Sequence, residues 1–232
     1  MANHTSRIAV TAAAVVALFA YGTSARAALI TYSSRATWAG AVGSPTGTED
    51  FNEFVADASF ISPSSVAADN MTLSAGTGLN GANTNKVDVA PFVEAGYSGD
   101  GTAFAFVELT ATATMRIDFT AGVEAWGADF TGISDDVRVS RIDVFDASNA
   151  LLGSIVAPTV AGTYNQRFIG FDLTGSDRAD HLVFVFTNPS AAVNDAFGID
   201  NVAFVTTNPV PEPTTLALLG VGLVAARRRR RA

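Results

Sequence analysis

Met115-Arg116-Ile117-Asp118-Phe119 alternates apolar and polar side chains, and Val137 to Phe145 does so in a broken register. A period of two puts every apolar side chain of an extended segment on one face, so both stretches read as half-buried antiparallel strands. Leu182 to Phe186, and Phe197 to Val205 around Asp200 and Asn201, are more continuously apolar and read as strands buried more deeply. Turn formers recur between such segments, as in Ser98-Gly99-Asp100-Gly101, Asp146-Ala147-Ser148-Asn149 and Thr174-Gly175-Ser176-Asp177. Ala28 to Tyr32 reads as a short strand, and Ser34 to Gly40 as a brief helix capped by Ser33 or Ser34. Roughly ten strands and one short helix predict an all-β domain, a sandwich of two antiparallel sheets, with a jelly roll as the specific expectation.

The ends do not follow this pattern. His4 and Arg7 precede an apolar run from Ile8 to Ala20, and Ser24-Ala25-Arg26-Ala27 then offers small residues at Ala25 and Ala27. That order of charge, apolar run and A-x-A site is a secretory signal peptide, with cleavage expected after Ala27. At the other end Pro211-Glu212-Pro213 and Thr214-Thr215 lead into an apolar stretch from Leu216 to Ala226 and five arginines, Arg227, Arg228, Arg229, Arg230 and Arg231. The prolines block regular structure on the domain side, so a helix starts only after them. As a helix the apolar stretch is about 17 Å long against a hydrocarbon core of about 30 Å, too short for a good permanent anchor. The arginines resist translocation and hold that end in the cytoplasm while the body of the chain crosses. The expected organisation is a signal peptide over 1–27, a β-sandwich domain over 28–208 and a sorting tail over 209–232.

Pro211-Glu212-Pro213, the short apolar helix and the arginine cluster resemble the PEP-CTERM sorting signal. The resemblance implies processing by an exosortase-like membrane enzyme, after passage through the secretion translocon and cleavage by signal peptidase. It further implies a cell-surface or extracellular location reached through transient insertion of the tail in the inner membrane, in bacteria that build exopolysaccharide. It is silent on activity.

Charge narrows the partners of the central domain. Of 14 Lys+Arg, Arg7, Arg26 and the tail arginines lie outside it, and of 22 Asp+Glu only Glu212 does, which leaves a domain near −14 in a chain of net charge −8. Such a surface argues against nucleic acid and anionic membranes and suits solubility, cations or neutral polymers. With no cysteine, disulfides, thiol catalysis and Cys-based metal sites are excluded. His181 is the one histidine left after signal cleavage, so a multi-His zinc site is excluded as well.

Ala125 to Gly132, Val144 to Ser154 and Phe197 to Phe204 resemble the extracellular β-sandwich domain of PEP-CTERM proteins, and the last phrase also resembles the closing strand of jelly-roll carbohydrate-binding modules. Asp200 is a carboxylate carried by an otherwise apolar strand, and a buried charge needs partners or an ion. In those modules an acidic residue of the closing strand and one near the first core strand share a structural calcium. The resemblance therefore implies a calcium held by Asp200 together with Asp50 and Glu53 from the Glu49-Asp50-Phe51-Asn52-Glu53 segment. The alternative is that Asp200 accepts backbone hydrogen bonds in a turn or bulge.

Other patterns carry less. Gly76-Thr77-Gly78-Leu79-Asn80-Gly81 fits G-x-G-x-x-G, but the turn-like residues after it supply no phosphate-binding helix, so it reads as a surface loop. His181 beside Asp180 lacks a G-x-S-x-G elbow and reads as a surface histidine at a strand end. Thr110, Thr112 and Thr114 form one small row, a minor argument for ice binding. Glu108 and Glu124 form a glycosidase pair only if a cleft brings them to catalytic separation. Trp38 and Trp126 read as core residues rather than sugar platforms. The expectation is a non-enzymatic exported surface or matrix module, with a polysaccharide-binding module containing structural calcium as the alternative and a glycoside hydrolase, lyase or ice-binding protein behind it.

Overall fold

The computed structural model describes residues 28–206 apart from 80, 82–83, 94, 110–111, 134–137, 158–163 and 188–194. The expected signal segment with Ala25 and Ala27, the expected tail from 209 onward, and Thr110 lie outside the described residues. In chain order the elements are β1 (Leu29–Tyr32), α1 (Arg35–Val42), β2 (Gly47–Glu49), β3 (Ala58–Ser59), β4 (Ser65–Ala68), β5 (Met71–Ala75) and β6 (Lys86–Asp88), followed by a 3₁₀ turn at Ala95–Tyr97. There follow β7 (Phe104–Leu109), β8 (Ala113–Val123), β9 (Ala125–Thr131), β10 (Arg138–Phe145), β11 (Leu151–Ile155), β12 (Gln166–Leu173), β13 (Ala179–Thr187) and β14 (Asp195–Val205). Among the described residues no helix is long and apolar enough to cross a membrane.

Two antiparallel sheets result. The larger runs β1-β12-β9-β14-β7-β6-β3, and the smaller β11-β10-β13-β8-β5-β4. The alternation in β8 does what its period dictates: Met115 and Ile117 are buried, while Arg116 and Asp118 between them are half-buried on the other face. The sheets meet through rings. Phe184 of β13 lies edge-on to Trp126 of β9 at 6.1 Å and tilted against Phe130 at 6.2 Å, and Phe186 approaches Phe197 of β14 at 5.1 Å. Trp126 is fully buried, in keeping with a core role.

The larger sheet is covered on its outer face too. Ser34 accepts from the Thr37 amide and starts α1, which ends at Gly43, in the left-handed region at φ 80°. The helix lays Trp38 against Phe168, Ala125 and Ala203, and the Trp38 indole donates to the Phe171 carbonyl at 2.9 Å. Further along that face Phe92 and Tyr97 cover Phe104, Phe106 and Ala196. The close approach needs Gly198, since a Cβ there would lie 2.2 Å from the Tyr97 carbonyl oxygen.

The smaller sheet has no such lid among the described residues. Its outer face carries the ion pairs Arg116–Asp118 and Arg141–Asp143, the latter joined by Ser154. Val183 and Val185 are therefore only half-buried, although the run Leu182 to Phe186 reads as more deeply buried than the alternating strands.

β14 sets the position of the site. β9 runs along one side of it; on the other side β7 pairs with Asp195–Ile199 and β2 with Val202–Phe204. The change of neighbour falls at Asp200-Asn201, where the register against β9 shifts and Asn201 adopts φ 49°. A bulge of this kind re-aims side chains at the point where pairing is interrupted.

Candidate functional site

Asp200 sits in this bulge on the outer face of the larger sheet and is 2 % exposed. Its Oδ1 accepts the Asn201 amide at 2.6 Å, while the buried Oδ2 has no donor. Burial pushes its carboxyl up to about 7, helped by the negative charges of Asp100, Asp129 and Asp50. Asp100 arrives from the loop before β7, where it accepts the Thr102 amide at 2.9 Å and the Thr102 hydroxyl at 2.5 Å. Those bonds, with a further contribution from the Asn201 side chain, hold the Asp100 carboxyl below its usual range. Asp129 lies opposite Asp200 in the β14–β9 register.

Arg35 brings a positive charge to this group. It pairs with Asp129 at 3.1 Å, donates to the Asn201 carbonyl at 2.5 Å and rests 4.8 Å above the Phe168 ring. Burial nevertheless raises the Asp129 carboxyl despite the opposing pull of Arg35.

A second carboxylate group lies where β2 leaves the larger sheet. Glu49 pairs with Val202 of β14 and is 2 % exposed. Its Oε1 accepts the Phe51 amide at 2.5 Å; its buried Oε2 has no donor. Burial pushes this carboxyl up to about 7, with further contributions from the charges of Glu53 and Asp69. Glu49, Asp50 and Glu53 each place a carboxylate oxygen within 4.8 Å of the others. Phe51, at φ 58°, turns the chain tightly enough to bring the three together.

Asp50 and Glu53 gather with Glu49, and Asp200 faces Asp100 and Asp129, with Asp50 within electrostatic reach. Asp100, Asp129 and Arg35 were not singled out from the sequence, and Glu49 entered only as the first residue of the Glu49-Asp50-Phe51-Asn52-Glu53 segment. Glu49, Asp50 and Glu53 offer oxygen donors only, without sulfur or imidazole.

The remaining sequence features resolve individually. His181 is buried, its ring stacked 4.9 Å from Phe145, and Nδ1 lies 3.2 Å from Asp180, so it is a packed side chain rather than a surface one. A bulge between Ala179 and His181 brings Asp180 and His181 near Asp118, which Arg116 already engages at 2.6 Å. Glu124 is ion-paired with Arg178. After the glycine-rich segment, Thr84 lies in a turn that leads into β6, with no helix there among the described residues. Thr114 accepts the Thr77 amide at 3.1 Å, so it belongs to a strand contact instead of a free threonine row.

A model of the PEP-CTERM protein-sorting motif matches residues 209–231. No curated protein matches the chain. Among solved structures, a family 29 carbohydrate-binding module is similar at 10 % identity and TM-score 0.37, covering 67 % of this chain and 100 % of that one. The lectin-binding domain of lectinolysin, in complex with Lewis b, is similar at 9 % identity and TM-score 0.35, with coverage of 58 % and 92 %. The family 11 carbohydrate-binding module of a cellulosomal cellulase from Clostridium thermocellum is similar at 13 % identity and TM-score 0.36, with coverage of 71 % and 97 %.

Proposed function

We propose that this protein is an exported, non-enzymatic component of the cell surface or extracellular matrix, delivered by its signal peptide and sorted through its C-terminal tail. The observation that carries the reading is the sorting motif over 209–231. The acidic, cysteine-free body fits it, since that body needs no oxidative folding and repels anionic surfaces. In this reading the two sheets close as a jelly roll, the translocon and signal peptidase release Ala28 as the new N-terminus, and an exosortase-like enzyme acts at the tail. The intact mass of the protein taken from native cells tests all of this at once. The expected species begins at Ala28 and has lost the arginine cluster; a chain of 232 residues found in the cytosol overturns the reading.

One surface favours a second reading, a polysaccharide-binding module. Tyr164 is 40 % exposed with its ring edge-on to Tyr97 at 4.9 Å, and it rests on Gly96, where a Cβ would come within 2.5 Å of the ring. A half-exposed aromatic ring held against another ring is a surface on which a sugar can stack. Pull-down on the producer's own polysaccharide is expected to weaken at least about tenfold in Tyr164→Ala, the effect of losing about 1.4 kcal/mol of contact. Equal retention of the variant and the native chain removes this reading and leaves the first intact.

A further inference from the structure

We infer that Lys86 and Asp57 become joined by an amide bond between Nζ and Cγ, a covalent staple that the folded chain makes on itself with Asp88 as the proton carrier. The inference stands independently of the export reading.

Lys86 is the only lysine of the chain. It lies on β6 and is 5 % exposed; its Nζ contacts Asp57 Oδ2 and lies 3.0 Å from Asp88 Oδ1. Asp88 is fully buried. Its Oδ2 accepts the Val93 amide at 2.9 Å, while Oδ1 has Lys86 as its one partner among the described residues. Asp57 is held by its other oxygen, Oδ1, which accepts the Val89 amide at 3.0 Å. In the antiparallel register Lys86 and Asp88 stand opposite Phe106 and Phe104 of β7, in the cluster that Phe92 and Tyr97 cover. Directly opposed residues share a face of the sheet, so aromatic rings flank the amine and keep water from it.

Each of these contacts has a step to perform. Before reaction the pair is ionic, and Lys86 with the Val89 amide holds the Asp57 carboxyl below its usual range against the opposing effect of burial. Condensation begins when Nζ passes a proton to Asp88 Oδ1 and the freed amine attacks Asp57 Cγ. The Val89 amide, already on Oδ1, stabilises the charge that develops there. The Cγ–Oδ2 bond then breaks, and Oδ2 leaves as water with the proton from Asp88 and a second from Nζ. Ammonium and carboxylate have become amide and water, no electrons have changed hands, and Asp88 is again ionised. Open water disfavours this condensation, but reactants fixed in contact reach effective molarities of about 10⁵ M or more, which offsets that cost. Asp57 is 47 % exposed, which gives the released water a way out.

The bond would fall at a weak margin of the fold. Asp57 directly precedes β3, the outermost strand of the larger sheet, which pairs with β6 only through Ala58–Val87 and Ser59–Lys86. An amide between the two segments fastens that margin covalently, a role that disulfides fill in many exported domains and that a chain without cysteine cannot give to one.

Lysyl endopeptidase needs a free lysine side chain, so the sole lysine reports directly on the bond. The full chain is purified folded, its intact mass is measured, and it is then denatured in urea and digested. The native chain is expected to be one water lighter than its sequence mass and to resist cleavage after Lys86. Lys86→Arg and Asp57→Ala are each expected to show the full sequence mass, and Asp88→Asn to condense at least about tenfold more slowly. The native chain decides by itself, whether or not each variant folds. The inference is overturned if that chain has its full sequence mass and is cut completely after Lys86, or if the water loss persists in Lys86→Arg, which places it elsewhere. Condensation at the native rate in Asp88→Asn overturns the role given to Asp88.

Discussion

Stripped of divalent cations, the protein is expected to become less stable as pH rises from about 4.5 to about 7.5, by on the order of 5 kcal/mol. Asp200 and Glu49 both titrate near 7 in the folded chain, while in the unfolded chain they return to 3.8 and 4.5. Between those limits the folded chain keeps protons that the unfolded chain has released, so each group lowers stability by about 1.4 kcal/mol per pH unit across its window. Their contribution is complete below about pH 4 and is lost as pH rises through 7. Asp57 and Asp100 are shifted the other way, Asp57 by Lys86 and the Val89 amide and Asp100 by Thr102, so their contribution is lost only in stronger acid. Urea midpoints in chelator at pH 4.5, 6 and 7.5 measure the slope, and Asp200→Asn is expected to remove roughly half of it. A midpoint that stays level or climbs with pH contradicts the assignment of these carboxyls as buried and short of partners.

Phe184→Ala is expected to cost about 3–5 kcal/mol, enough to consume much of the stability of a domain of this size. Phe184 is fully buried, and its ring meets Trp126, Phe130 and Phe186 within 6.1 to 6.2 Å. Truncation removes both the transfer term and the ring-to-ring contacts, and it leaves a cavity bounded by two sheets that cannot close without sliding over each other. Phe184→Leu, which fills much of that space, is expected to lose less than half as much. Guanidinium unfolding of the two variants measures the difference. Equal and small losses in both would show that the sheets do not meet through these rings.

Two similar apolar runs show where sequence reading reaches and where it stops. Leu182 to Phe186 and Phe197 to Val205 both read as deeply buried, yet only the second lies in a sheet covered on its outer face. The cover comes from α1 and from Phe92 and Tyr97, both remote from β14 in sequence, and local apolarity does not encode which sheet they settle on. The two-sheet antiparallel arrangement was legible because alternation and turn chemistry are local.

The site divides in the same way. Asp200 was legible because a carboxylate stood in an apolar strand. Glu49 gave no such signal: Gly47-Thr48-Glu49-Asp50 is polar, and Glu49 becomes buried only when β2 docks beside Val202, far along the chain. Asp129 is brought to Asp200 by antiparallel register, and Asp100 by a loop folded over the sheet. Neither proximity leaves a trace in sequence spacing.

The chain leaves the described fold from the end of β14, an interior strand whose last residues are bonded to β9 on one side and β2 on the other. A protein tethered through residues beyond Thr206 would feel drag from its surroundings as a pull along this strand. Because interstrand hydrogen bonds run across the strand direction, that pull loads many of them together in shear instead of peeling them one by one from a rim. Thr46 adds a last fastening, with its hydroxyl accepting the Thr206 amide at 2.7 Å. Attachment through this end sets mechanical force against one of the most heavily bonded segments of the molecule.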